Sequence, residues 1–202
     1  MPYKNNNYNN KPKFKERKPL YDPDEPFTDE IKNKLIKRGE NYCLWLLGKS
    51  DKTKKELSDK LRLKGYPDEV IEVVIQKIIN DGYVNDENYT ENFVRSRTTY
   101  RKQGRNAISS ELRRKGVSDE VISEALEGIT DDDERVNAKS LVESKVFSTR
   151  NLESQKRVNR LVGMLARKGY SIGMAYEVVN EVLSEQNFDE DDDDDVTYET
   201  SL

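Results

Sequence analysis

Apolar residues recur along this chain at the spacing of amphipathic helices, and the same pattern occurs three times. In each copy, apolar residues stand four and eight positions before a glycine that follows a lysine. These glycines, 51 and 53 residues apart, are Gly65, Gly116 and Gly169. Apolar residues four apart lie on one face of a helix, and a basic turn followed by glycine is typical of a helix end. The pattern therefore predicts three helices that each end at a glycine.

A second apolar stripe follows each glycine after a Pro or Ser that can begin a helix. The clearest stripe is Val70, Ile71, Val74, Ile75 and Ile78, and weaker copies lie over 121–126 and 175–183. A third helix is predicted before each pair, over residues 40–47, 86–102 and 131–146. Thr53 and Glu56 have the spacing of a capping box, which favours a helix start at that point.

No apolar and polar alternation of four or more residues is found, so strands are not expected. The fold class predicted is all-α, with three tandem three-helix repeats over 39–82, 83–129 and 130–187. Repeats that contact mainly their sequence neighbours form an elongated, curved array. Several small cores would also explain why only 34% of the residues are hydrophobic and 37% are charged.

The net charge of −4 conceals a strong asymmetry between the two ends. Residues 1–20 hold six bases and one acid, whereas residues 187–202 hold eight acids and no base. We expect residues 1–38 to be a basic disordered arm and residues 188–202 to be an acidic disordered tail. Either tail could serve solubility alone, or the arm could lie near nucleic acid while the acidic tail tunes binding.

Composition excludes several kinds of chemistry. The chain has no histidine and one cysteine, Cys43, which excludes histidine-based catalysis, histidine-ligated metals and an internal disulfide. Cys43 lies in an apolar run and is expected to be buried. We expect no cofactor, no membrane span and no secretory signal, and therefore a cytoplasmic protein.

Residues 82–89 (GYVNDENY), which run into 93–97 (FVRSR), resemble the RecX family of recombination regulators. The segment 104–117 and the third copy at 165–170 (LARKGY) are similar to that family as well, so the resemblance spans residues 40–186. It implies a non-enzymatic, monomeric protein that binds RecA recombinase filaments on DNA and inhibits their ATPase, strand-exchange and co-protease activities. Single-stranded DNA would be contacted weakly or through the filament.

The bases of the second repeat are the candidate partner-binding residues, because residues 91–115 hold eight bases and two acids. Arg97 and Arg101 are one helical turn apart and are expected to share a face beside Tyr100. Arginine pairs well with carboxylates and phosphates. The predicted surface is Arg95, Arg97, Tyr100, Arg101, Lys102, Arg105, Arg113 and Arg114. The alternative is a solvated face, and the lysines before the three glycines are interpreted simply as helix-end bases.

Two other function classes stay open at this point. Three-helix units also occur in helix-turn-helix proteins, so the chain could bind nucleic acid directly without a recombinase. A helical scaffold for an unrelated partner is the second alternative. An enzyme is not expected, because no pair of carboxylates stands apart from the acids that cap helices.

Overall fold

The computed structural model describes residues 20–21 and 26–192, the last seven of them by backbone alone, and within these ranges the chain forms nine α-helices and no strand. The helices are α1 Asp29–Leu47, α2 Lys54–Leu63, α3 Asp68–Asn80, α4 Asp86–Thr99, α5 Arg105–Arg114, α6 Asp119–Glu127, α7 Asp131–Val146, α8 Ser154–Lys168 and α9 Ile172–Asp192. A short 3₁₀ turn, Phe147–Thr149, follows α7. The all-α class is therefore confirmed.

The helices pack in threes around three separate apolar cores, which confirms the three three-helix units. Leu57, Leu61 and Val74 lie in the first core, between α1, α2 and α3. The second core, which includes Ile108 and Leu112, is small, and the third lies between α7, α8 and α9. An ion-pair network of Arg135 and Lys139 with Glu177, Glu181 and Glu185 also joins α7 to α9.

The predicted helix ends are present in the structure. Gly65, Gly116 and Gly169 have φ values of 87°, 79° and 93°, the left-handed conformation that glycine adopts without strain. Thr53 accepts a hydrogen bond from the Glu56 N–H, and the Glu56 carboxylate accepts one from the Thr53 N–H, so the capping box forms. The lysine–glycine pattern therefore marks true helix ends.

Neighbouring units are joined end to end through their second helices. The Thr53 hydroxyl, at the start of α2, donates to the Lys115 carbonyl at the end of α5, over 2.6 Å. The equivalent Gly104 N–H, at the start of α5, donates to the Lys168 carbonyl at the end of α8, over 2.9 Å. The C-terminus of α8 therefore meets the N-terminus of α5, and the C-terminus of α5 meets the N-terminus of α2.

Charged side chains reinforce both joints in the same way. The backbone N–H of Lys54, the first residue of α2, donates to the Asp86 carboxylate of α4 over 3.0 Å. Arg105, the first residue of α5, is likewise paired with Asp131 and Glu134 of α7. Because each joint links sequence neighbours, the units form a linear array.

Four predicted boundaries are wrong. The arm expected over residues 1–38 ends too late and the helix expected over 40–47 begins too late. The helix α1 begins at Asp29 because Thr28 caps it and Leu35 is buried in the first core. The helix predicted over 86–102 ends at Thr99, where β-branched threonines favour helix poorly.

At the other end, the expected disordered tail over 188–202 overlaps α9, which continues to Asp192. Glu185 and Gln186 favour helix and carry α9 past the end of its apolar stripe at Leu183. The predictions for residues 1–19, 22–25 and 193–202 lie outside the described ranges.

Candidate partner-binding site

Arg97 is held inside the second unit and does not form part of an open surface. Its Nε lies 3.1 Å from the Glu111 carboxylate, and only 18% of its side chain is exposed. The guanidinium also lies 4.2 Å from the centre of the Phe93 ring. Arg97 therefore fastens α4 to α5.

Glu111 is the acid around which this part of the unit is arranged. Burial alone would raise the pKa of the Glu111 carboxyl, but hydrogen bonds from Gln103 and Arg97, with the charges of Arg97 and Arg101, bring it below its ordinary value. Gln103 donates to the second carboxylate oxygen over 2.8 Å.

The expectation that Arg97 and Arg101 share a helix face is wrong. Because α4 ends at Thr99, Arg101 lies in the connection to α5, which we call the joint loop and define as Tyr100–Gly104. Arg101 is exposed, and Tyr100 is 84% exposed. The loop therefore presents one aromatic and one basic side chain to solvent at the joint between the second and third units.

Lys102 and Arg105 are used within that joint. Lys102 has a φ of 46°, its ammonium donates to the Ser140 hydroxyl, and its carbonyl accepts from Tyr170 over 2.9 Å. Arg105 is 2.7 Å from Glu134 through Nε. Burial lowers the pKa of the Arg105 guanidinium, but its bonds with the two carboxylates outweigh this effect, and the net shift is upward. Both side chains hold the second unit against the third.

The other three predicted residues are exposed. Arg113 forms a 2.6 Å ion pair with Asp119. Arg95 donates to the Asn92 side chain over 2.6 Å. Arg114 lies one helical turn after Glu111, and its Nε is 3.4 Å from the Ser110 carbonyl. Of the predicted residues, Arg97 thus contacts Glu111 directly and Arg114 lies one helical turn from it, whereas Arg95 and Arg113 have other partners.

Two grooves of matching composition lie between the second and third helices of the first and second units. Their volumes are about 610 Å³ and 330 Å³, and eight lining positions of one correspond to the other at an offset of 51 residues. An ion pair stands in each groove, Arg62 with Asp68 and Arg113 with Asp119. The third unit has Ala166 and Ile172 at the corresponding positions, so this ion pair cannot form there. The chain therefore presents a repeated surface.

Sequence reasoning missed the role of the lysines before the glycines. Lys115 is 2.7 Å from Glu56 of the first unit, and Lys168 donates to the Arg101 carbonyl over 2.6 Å. The glycines contribute as well, since a Cβ on Gly116 would lie 2.2 Å from Lys55 Cδ. The even spacing of the Lys-Gly pairs was the signal, because equivalent positions of a repeat array often form equivalent contacts.

The described ranges hold no candidate metal centre, and their one cysteine is not reactive in character. No group of three or more metal-ligating side chains is found there. Cys43 is fully buried, and burial raises the pKa of its thiol to about 11, so the thiol form prevails at neutral pH. None of the described helices is both long enough and apolar enough to span a membrane.

Family models match each of the three units separately. The model for "RecX, first three-helix domain" matches residues 41–77, that for the second domain matches 85–126, and that for the third matches 132–179. Each match falls within one of the structural units described above.

Individual relatives and solved structures agree with these models. The chain is 38% identical over 157 residues to the regulatory protein RecX of Thermobifida fusca, covering 78% of this chain and 85% of that protein. It is 41% identical over 153 residues to RecX of Mycolicibacterium smegmatis, covering 74% and 81%. The crystal structure of RecX from Lactobacillus salivarius superposes with a TM-score of 0.66 at 28% identity and covers 74% of this chain and 97% of that one.

Proposed function

The chain belongs to the RecX family of regulatory proteins, and on this basis we propose that it is a non-enzymatic regulator that binds RecA recombinase filaments on DNA. In this proposal it lowers their ATPase, strand-exchange and co-protease activities. The family match over all three units carries the proposal. In this proposal the protein acts as a monomer in the cytoplasm.

The architecture of the array supports a filament as the partner. Successive units are joined head to tail, and the first two present grooves that correspond position by position. A surface that repeats along one chain is suited to a partner that repeats along its own axis. A filament of identical subunits has that property.

The proposed mechanism follows from this arrangement. A chain that contacts neighbouring recombinase subunits at once loses binding energy whenever those subunits move apart. Its binding free energy therefore opposes the subunit motion that ATP turnover requires. Inhibition then needs no reactive side chain.

The contact surface we propose is centred on the joint loop. Tyr100 and Arg101 are exposed there, and Arg114 is exposed at the far end of α5, one turn beyond Glu111. Aromatic and arginine side chains often dominate the energy of protein interfaces. Arg97, Lys102 and Arg105 support this surface from behind and need not touch the partner.

The test is the ATPase rate of a preformed recombinase filament on single-stranded DNA as the protein is added. We expect the rate to fall with the wild-type chain and to fall much less with Arg101→Glu plus Arg114→Glu. Lys145→Glu, at an exposed position of α7, is a single charge-reversal control and should inhibit like wild type. An unchanged ATPase rate with excess wild-type protein would reject the proposed function.

Direct action on DNA is the remaining alternative, and a separate readout distinguishes it. Under that alternative the chain would bind bare DNA tightly with a steep salt dependence and would leave filament ATPase unaffected at matched DNA occupancy.

A further inference from the structure

From Lys34 onward, one face of α1 carries basic and aromatic side chains at helical spacing and no acid; Glu30 lies one turn before Lys34. Lys34, Arg38, Tyr42 and Trp45 follow at intervals of four, four and three, and Lys49 continues the row just beyond the helix end. We call these five residues the α1 stripe. With a rise of about 1.5 Å per residue, the stripe is roughly 22 Å long.

The two aromatic rings of the stripe are stacked and flanked by ammonium groups. The Tyr42 and Trp45 ring centres are 5.9 Å apart with 19° between the planes. The Lys49 ammonium is 3.7 Å from the Trp45 ring centre, and the Lys64 ammonium is 5.2 Å from that of Tyr42. Trp45, the only tryptophan of the chain, is 55% exposed.

The bases around these rings have no acidic partner among the described residues. Among the described residues, every ion pair that α1 forms involves Lys32 or Glu40. Lys34, Arg38, Lys49 and Lys64 are all exposed and lie outside those pairs. The face therefore combines uncompensated positive charge with an exposed indole ring.

From this combination we infer that the α1 stripe is a binding site for single-stranded nucleic acid. Phosphates of the strand would pair with Lys34, Arg38 and Lys64, and a base would stack on Trp45. The stacked base would replace Lys49 on the indole face, because base stacking is stronger than an exposed cation–π contact. The displaced ammonium is then available to a phosphate.

Single strands fit this surface better than the alternatives do. A duplex keeps its bases stacked internally and has none to offer to Trp45. An acidic protein segment would satisfy the charges but would leave the aromatic pair without a stacking partner. The site lies on the first unit and needs no recombinase, so its test is independent of the proposed function.

Trp45 reports on the site directly. We would titrate the full-length protein with an oligothymidylate of about 15 nucleotides and follow tryptophan fluorescence, with the matching duplex as comparison. We expect saturable quenching by the single strand that weakens as salt rises, and weaker quenching by the duplex. Absence of quenching, or equal quenching by both, would overturn the proposal.

Variants then locate the contact, with labelled oligonucleotide anisotropy as the readout. Trp45→Ala should weaken binding roughly 5- to 100-fold, and Trp45→Phe should restore most of it. Lys34→Gln plus Arg38→Gln should lower the salt slope by about 1.4, since each single-strand phosphate contact contributes about 0.7. Lys145→Gln is the matched control and should change neither quantity.

The basic residues near the N-terminus could also attract an oligonucleotide, and the same experiment separates that outcome. Binding through those residues would give anisotropy that is equal in wild type and in the Trp45→Ala and Lys34→Gln/Arg38→Gln variants. That result would overturn the assignment to the α1 stripe. Circular dichroism of each variant establishes that α1 is still folded.

Discussion

Individual glycines of this chain differ in what an added side chain would meet. At Gly65 the backbone is left-handed and the surrounding space is open. At Gly104 a Cβ would lie 2.6 Å from the Gly169 carbonyl oxygen of the next unit. At Gly163, within α8, it would meet only the end of the Arg167 side chain, at 3.4 Å. What a side chain would cost at each glycine therefore depends on the local surroundings. The fold requires glycine at only some of these positions.

Gly163→Ala should stabilise the protein. Its helical position has no conformational need for glycine, and alanine in a helix interior is more favourable by about 0.5–1 kcal/mol. Urea unfolding monitored by circular dichroism measures the free energy of unfolding. A loss of stability would show that the Arg167 side chain cannot move aside.

Glu111 should give the protein a stability contribution that depends on pH. Its folded-state pKa lies below the ordinary value, so the contribution is complete above the unfolded pKa, near 4.5, and is lost as pH falls through the folded pKa. Glu111→Gln removes the ionisable group and keeps the side chain's size, and it replaces one of the two accepting oxygens with an NH2 donor, so only one of the bonds from Arg97 and Gln103 can be retained.

Urea unfolding of wild type and Glu111→Gln at a series of pH values tests this contribution. The difference between the two free energies of unfolding should be largest near neutral pH and should shrink once pH falls below about 4.5. A difference that stays constant down to strongly acidic pH would mean that the Arg97 and Gln103 contacts do not depend on the carboxylate charge.

At the scale of elements, the joints are the feature that unites sequence and structure. The Lys-Gly pair ends a helix and also contacts the preceding unit, as Lys115 does with Thr53 and Glu56. Helix propensity and capping predict the first role because both are local. The second role depends on which helix ends meet in space, and apolar periodicity does not encode that.

Gly104→Ala should open the joint between the second and third units while leaving their cores intact. The new methyl group would occupy the space of the Gly169–Tyr170 peptide group, so the Gly104 hydrogen bond to the Lys168 carbonyl must lengthen or break. Amide hydrogen exchange should accelerate at position 104, with little change at core amides such as that of Leu112.

Gly128→Ala is the control for that variant, because a Cβ there would meet nothing within 4 Å. Its exchange pattern should match wild type. If Gly104→Ala also matched wild type, the close approach of the two backbones would not be what holds the joint.

The helices and the three units followed from apolar periodicity and capping, whereas the candidate surface followed only in part. Charge density located the second unit, and Tyr100 and Arg101 are exposed there. Charge density could not show that Glu111 pairs with Arg97 or that Glu134 pairs with Arg105. These acids lie 14 and 29 residues from their arginines in the chain. The exposure of Trp45 could not be predicted either, because the apolar run around it predicts burial in the core.

At the scale of the whole molecule, the chain is a row of three small cores with two separate basic surfaces. The joint loop lies between the second and third units, and the α1 stripe lies on the first. The near-neutral body of the protein conceals both, because acidic residues elsewhere in the chain balance their positive charge. Binding to a filament that carries a single strand could engage both surfaces at once.

Co-sedimentation with recombinase filaments tests the central claim most directly. Filaments are formed on single-stranded DNA with a non-hydrolysable ATP analogue and are pelleted with the protein, beside bare DNA at the same concentration and salt. The account predicts that the wild-type chain pellets with the filament in a saturable manner and far more than with DNA alone, and that Arg101→Glu plus Arg114→Glu reduces this. Equal amounts in the two pellets would contradict it.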